Sequence, residues 1–327
     1  MKSVVVILIA ALALPDAPAQ APCVIVTTQD GRRLEALSRR DEGQVLRLET
    51  IFGPLAFPAR RVAKSAPDTT TVESPDFRHV TTTAWLRIVS DLQPDRHELI
   101  VDRLEGFANY MAAAYELDAS RCGQRPYTVR AYRSRQDFKN AQSRLAPTIS
   151  ALKGQAFGEG VTGFFSPGLG EVHFWDGAVH DGGERMELAQ HEVAHLFNHL
   201  FSQSGGIAIP VWFEEGTATY FSRVVALESA GTEVLREPDD HPAHLDTLGR
   251  EIDAGAVYGN RELRAVPYAT FHGREYGWGW GLIRHLRRGN HWPRLLTVLR
   301  KNGGAGEDFV HAFGFRSDEH FDRRWHE

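Results

Sequence analysis

The segment Met186-Glu187-Leu188-Ala189-Gln190-His191-Glu192-Val193-Ala194-His195-Leu196-Phe197-Asn198-His199 constrains this chain more than any other, because it mixes apolar and polar residues at helical spacing with few helix breakers. A helix there puts His191 and His195, four residues apart, on one face, where a single metal ion can bridge both imidazoles. Glu192 stands one step from His191, angled beside that pair. It is placed to hold a water on such an ion and poorly placed to be a third ligand. His199, one further turn along, reads as a packed or capping histidine, with an approach to the metal region as the other reading.

A second segment, Pro210-Val211-Trp212-Phe213-Glu214-Glu215-Gly216-Thr217-Ala218-Thr219-Tyr220-Phe221, follows a loop containing Gly205-Gly206 and starts another helix. Together the two segments resemble the gluzincin metallopeptidases and the bacterial peptidase-MA-like proteins, in which a Trp-Phe-x-Glu-Gly-x-Ala-x-Tyr run on the helix after HExxH supplies a glutamate as third zinc ligand. Glu215, directly before Gly216, is the matching residue, and Glu214 then faces elsewhere or acts behind the ligands. The resemblance implies one Zn2+ ion on His191, His195 and Glu215 with an open fourth position, Glu192 as general base, and hydrolysis of a peptide or protein substrate. The metzincin variant needs a third histidine shortly after His195, and position 201 is Phe201.

Two further regions carry the likeness. Tyr276-Gly277-Trp278-Gly279-Trp280-Gly281-Leu282 is similar to a Tyr-x-Gln-x-Trp-x-Leu segment whose tyrosine faces the metal and stabilises the oxyanion; Trp278 stands where that pattern has Gln. Tyr276 is the candidate for that role and Tyr268 its competitor. The tail from Phe309 to Phe315, with Phe321 and Trp325, resembles the end of such domains, so the likeness spans residues 80 to 325. In such folds the edge strand above the zinc helix pairs with the substrate backbone, which by chain order is Glu171 to Trp175 or Thr162 to Phe165. The same residues also suit a non-catalytic zinc-containing envelope binding protein, or a zinc hydrolase of another acyl bond.

The rest of the chain supplies context. Met1 to Ala19 reads as an export signal, with Lys2, an apolar run from Val4 to Leu14 and the small triplet Ala17-Pro18-Ala19, so a periplasmic or secreted location is expected, without a stable membrane span. Cys23 and Cys122 then permit one disulfide or remain two thiols. A formal net charge of -5 offers no basic footprint for nucleic acid. Oligomeric state leaves no mark in the sequence. Short alternating runs at residues 22–65 predict a small all-β, barrel-like module, and the Ser/Thr/Pro/Asp-rich stretch at 66–78 a linker.

Residues 79–327 predict an α+β domain of thermolysin/gluzincin type, a small mixed sheet followed by a helical part. Its strands are expected near 80–90, 127–132, 164–165 and 171–175, with helices at 96–117, briefly through Phe138, and at 184–203, 212–227, 275–288, 292–301, 306–313 and 317–326. The stretch Glu237 to Asp246, rich in possible ligands but also in prolines and charges, reads as a solvated loop.

Overall fold

The computed structural model describes residues 5–8, 24–27, 33–36, 38–42, 45–50, 53–58, 77–117, 127–153, 160–166, 170–178, 186–205, 207–229, 232–236, 241–302 and 309–327. The first six strands form two antiparallel three-stranded sheets. One joins β1 (Val5–Leu8), β2 (Val24–Thr27) and β3 (Arg33–Ala36); the other joins β4 (Ser38–Glu42), β5 (Val45–Thr50) and β6 (Gly53–Pro58). The strand β1 falls within the apolar run of the expected export signal. Cys23, Cys122, Ala17 to Ala19 and the linker core lie outside the described residues.

The remainder is α+β, built on a mixed five-stranded sheet. It contains β7 (His79–Thr82), β8 (Leu86–Ser90), β9 (Tyr127–Tyr132), β10 (Gly163–Ser166) and β11 (Glu171–Trp175), in the order β10-β11-β9-β8-β7. The central pairs β11/β9 and β9/β8 are parallel, and the outer pairs are antiparallel. The expected single strand over 80–90 is a hairpin, because the chain turns at Thr83, whose Oγ1 accepts from the Trp85 and Leu86 amides. Of the two candidate edges, β10 is the edge among the described residues and Glu171–Trp175 is interior.

Strand alternation splits the sheet into two faces. Leu86, Ile88, Val129, Ala131, Val172, Phe174 and Phe165 join the main core with α1 (Pro94–Ala114) and α3 (Glu187–Gly205). Tyr132 and Phe164 face α2 (Arg135–Lys153) through Phe138 and Ala141. The short helix expected through Phe138 is therefore a full helix. Helix α3 is buried on two sides, with Ala189, Val193, Leu196, Phe197 and Leu200 all inside.

Beyond α3 the chain is mostly helical, through α4 (Val211–Phe221), α5 (Pro242–Asp253), α6 (Asn260–Ala265), α7 (Gly273–Arg288), α8 (Trp292–Asn302) and α9 (Asp318–His326). A β-hairpin of β12 (Val225–Ser229) and β13 (Thr232–Arg236) interrupts them. Helix α4 thus stops at Phe221 rather than running to 227: the chain turns at Ser222-Arg223, and Val224-Val225 is a β-branched pair that favours strand. Part of the expected solvated loop is also corrected. Pro242 is the first residue of α5, where a proline costs no hydrogen bond, and His241 caps it by accepting from the His244 amide at 3.3 Å. The helix expected at 306–313 is, in its described part, a 3-10 turn at Val310–Phe313. Among the described residues no helix is long and apolar enough to cross a membrane.

Candidate metal centre

Helix α3 carries His191, Glu192 and His195, and α4 crosses it to bring Glu215 to the same point. His191 Nε2 and His195 Nε2 stand 3.1 Å apart. Glu215 Oε2 lies 3.6 Å from the first and 3.3 Å from the second. Ligand atoms at about 2.0–2.1 Å from a tetrahedral ion sit about 3.3–3.4 Å from one another, so the three edges are those of one tetrahedral face. Among the described residues this is the one group of three or more His, Cys, Asp or Glu side chains gathered closely enough to hold a metal ion.

The electrostatics also call for a cation. Glu215 is 3% exposed, and its Oε2 is buried with no hydrogen-bond partner. A buried carboxylate in that state costs several kcal/mol unless a positive charge faces it. In the metal-free chain that charge is a proton on His195. Burial pushes the ring's pKa down, but Glu215, Glu214 and Glu192 outweigh it and raise the pKa to about 10. Glu215 is held well below the usual carboxylate range: burial opposes this, and His195 and His191 override it. The donor set of two imidazoles and a carboxylate, with one orphaned oxygen aimed at both rings, fits a divalent ion.

Around this triangle the other candidates fall into place. Glu214 Oε1 lies 3.6 Å from His195 Nδ1, the ring atom facing away from the triangle, beyond hydrogen-bond reach, so it is a nearby negative charge behind that imidazole. Glu192 is 7% exposed. His199 packs its ring on Phe165 at 5.2 Å and stands outside the group. Tyr276, in the first turn of α7, packs on Phe271, and burial together with Glu215, Tyr268 and Glu192 raises its phenol pKa far above the ordinary value. Tyr276 therefore sits beside the acidic centre and stays protonated there, with Tyr268 as its neighbour.

One glycine of α7, Gly279, explains how it comes so close. A Cβ on Gly216 would lie 2.7 Å from the Gly279 carbonyl oxygen, so α4 and α7 pack backbone to backbone. Gly216 follows Glu215, and Gly279 is three residues past Tyr276.

Sequence reasoning misses two features. Asn198, one turn beyond His195 and fully buried, accepts from the Tyr115 hydroxyl and donates to the Glu214 carbonyl at 2.9 Å and to Thr217 Oγ1 at 2.8 Å. It stitches the histidine helix to the glutamate helix, and its spacing from His195 on the inner face was the available signal. His241 Nε2 also lies 3.6 Å from Glu187 Oε1, one turn before His191, with Arg223 at 3.9 Å from the same oxygen.

No family model matches the chain, and no curated protein matches it.

Proposed function

We propose that the chain is an exported zinc-dependent peptidase of gluzincin type, with a thermolysin-like domain behind a small all-β module. The observation that carries this reading is the tetrahedral face made by His191, His195 and Glu215, with Glu192 beside it on the same helix. In such a set a zinc ion supplies a Lewis acid and an acidified water at neutral pH.

The chain's own residues supply the rest. Glu192 takes the proton of the attacking water at its carboxylate and passes it to the departing amine, so one group serves as base and then as acid. Tyr276 keeps its proton and donates a hydrogen bond to the developing oxyanion. Among the described residues no strand pairs with the outer side of β10, which supports capture of an extended peptide by strand addition. Glu214 places a negative charge behind His195, and Asn198 holds the two ligand-bearing helices in register.

The test is mass-spectrometric profiling of a diverse peptide mixture with the zinc-loaded protein, beside Glu192→Gln. Cleavage by the wild type and not by the variant is expected. Intact peptides with both proteins would overturn the peptidase reading in favour of another acyl substrate or a binding role.

A further inference from the structure

We infer that Gly163, the first residue of the edge strand, is a positioning residue that sets where the Glu192 carboxylate lies. The inference rests on the reading of Glu192 as general base. Register pairs Gly163 with Phe174, whose side chain faces the main core, so position 163 faces α3 as well. A Cβ built there would lie 2.9 Å from Glu192 Cγ, 3.1 Å from Glu192 Oε1 and 3.0 Å from Leu188 Cδ1. Two of its three nearest neighbours are atoms of the proposed base.

Backbone conformation does not call for this glycine. Gly170, Gly255 and Gly314 have positive φ, whereas Gly163 does not, so any residue could adopt its backbone. Glycine in a strand weakens it and marks a close approach. The approach here is by a side chain 7% exposed, flanked by Leu188 one turn earlier on the same helix. A methyl group at position 163 must move something. The strand is held along its length by pairing with β11, while Glu192 turns about its own χ angles, so the carboxylate yields first.

Gly163→Ala is therefore expected to keep its zinc content and to lower kcat about 10- to 100-fold, with KM within about twofold, as displacement of a reacting group by about 1 Å does elsewhere. Crystal structures of the two proteins should show the Glu192 carboxylate displaced. An unmoved carboxylate, or a rise in KM at constant kcat, would overturn the inference. Should Gly163→Ala fail to fold, Gly163→Ala with Glu192→Ala, which lacks the clashing Cγ and Oε1, must recover the fold, and its failure would overturn the inference too. A wild type that cleaves no peptide sinks the peptidase reading, while the carboxylate position still decides this one.

Discussion

Gly216 and Gly279 meet backbone to backbone where α4 crosses α7: a Cβ on Gly216 would fall 2.7 Å from the Gly279 carbonyl oxygen, and one on Gly279 3.3 Å from the Gly216 Cα. Helical glycine costs about 1 kcal/mol relative to alanine, so each must be offset by its contact. Gly277 lacks such a contact, since its Cβ would lie 3.6 Å from His244 Nδ1, at ordinary separation. Alanine substitution should thus rank these positions. Gly216→Ala should lose about 2–3 kcal/mol, with no flexible atom to give way, and Gly279→Ala should lose less. Gly277→Ala should be neutral or gain up to about 1 kcal/mol. Urea denaturation of the three variants checks the order, and equal losses would mean the crossing is not tight.

Asn198→Ala removes the donor to the Glu214 carbonyl and to Thr217, and the acceptor of the buried Tyr115 hydroxyl. A loss of about 2–4 kcal/mol in the metal-free protein follows from the buried hydrogen bonds lost. Because the lost bond anchors the residue before Glu215, zinc affinity should also fall about 10- to 100-fold, measured by competition with a chelator. Lost stability at unchanged affinity would reduce Asn198 to packing.

Tyr276→Phe should lower kcat about 10- to 1,000-fold if its hydroxyl serves the oxyanion, on the scale of single donors elsewhere, and Tyr268→Phe should not. The reverse result would exchange their roles.

The centre itself was legible because its signal is local: His191 and His195 lie four apart on a breaker-free helix, and Glu215 lies in a second recognisable run. What escaped depends on contacts between segments distant in sequence. Gly279 looks like a helix breaker until Gly216 lies against it. Pro242 looks like a loop signal until its position at the start of α5 is known. Gly163 is one of 30 glycines, and only the register of β10 on β11 aims it at Glu192. Strand order likewise depends on long-range pairing, so chain order alone left two candidate edges.

A stability prediction lies on the far face of the sheet. The Arg130 guanidinium grips Glu171 with two hydrogen bonds of 2.9 Å, and His173 Nε2 lies 3.3 Å from Glu171 Oε2. Burial pushes the Glu171 pKa up, but His173 and Arg130 outweigh it and hold it at about 2. A depressed carboxylate stabilises the fold above its unfolded pKa, and that contribution disappears as pH falls through the folded value. Between about pH 5 and pH 2 the wild type should therefore lose about 3 kcal/mol that Glu171→Gln does not lose. Parallel pH profiles for the two proteins would remove Glu171 as the cause.

The charge on His195 makes metal binding itself pH-dependent. In the metal-free chain burial lowers its pKa, yet Glu215, Glu214 and Glu192 raise it to about 10, so near neutral pH the ring carries a proton. A coordinating imidazole must be neutral, and each metal ion bound must displace that proton. Zinc affinity should then rise about tenfold per pH unit from about pH 7 towards pH 10, with about one proton released per ion. Calorimetry in buffers of different ionisation enthalpy at near-neutral pH reads that proton directly. Glu215→Ala removes both a ligand and the largest of the carboxylate influences on His195, so it should abolish tight binding. Glu214→Ala keeps the ligand set and removes a carboxylate 3.6 Å from His195 Nδ1, so affinity should fall only about 10-fold while the released proton diminishes. A Glu214→Ala protein that loses zinc while Glu215→Ala retains it would move the third ligand by one position and dismantle the tetrahedral face on which the proposed function stands.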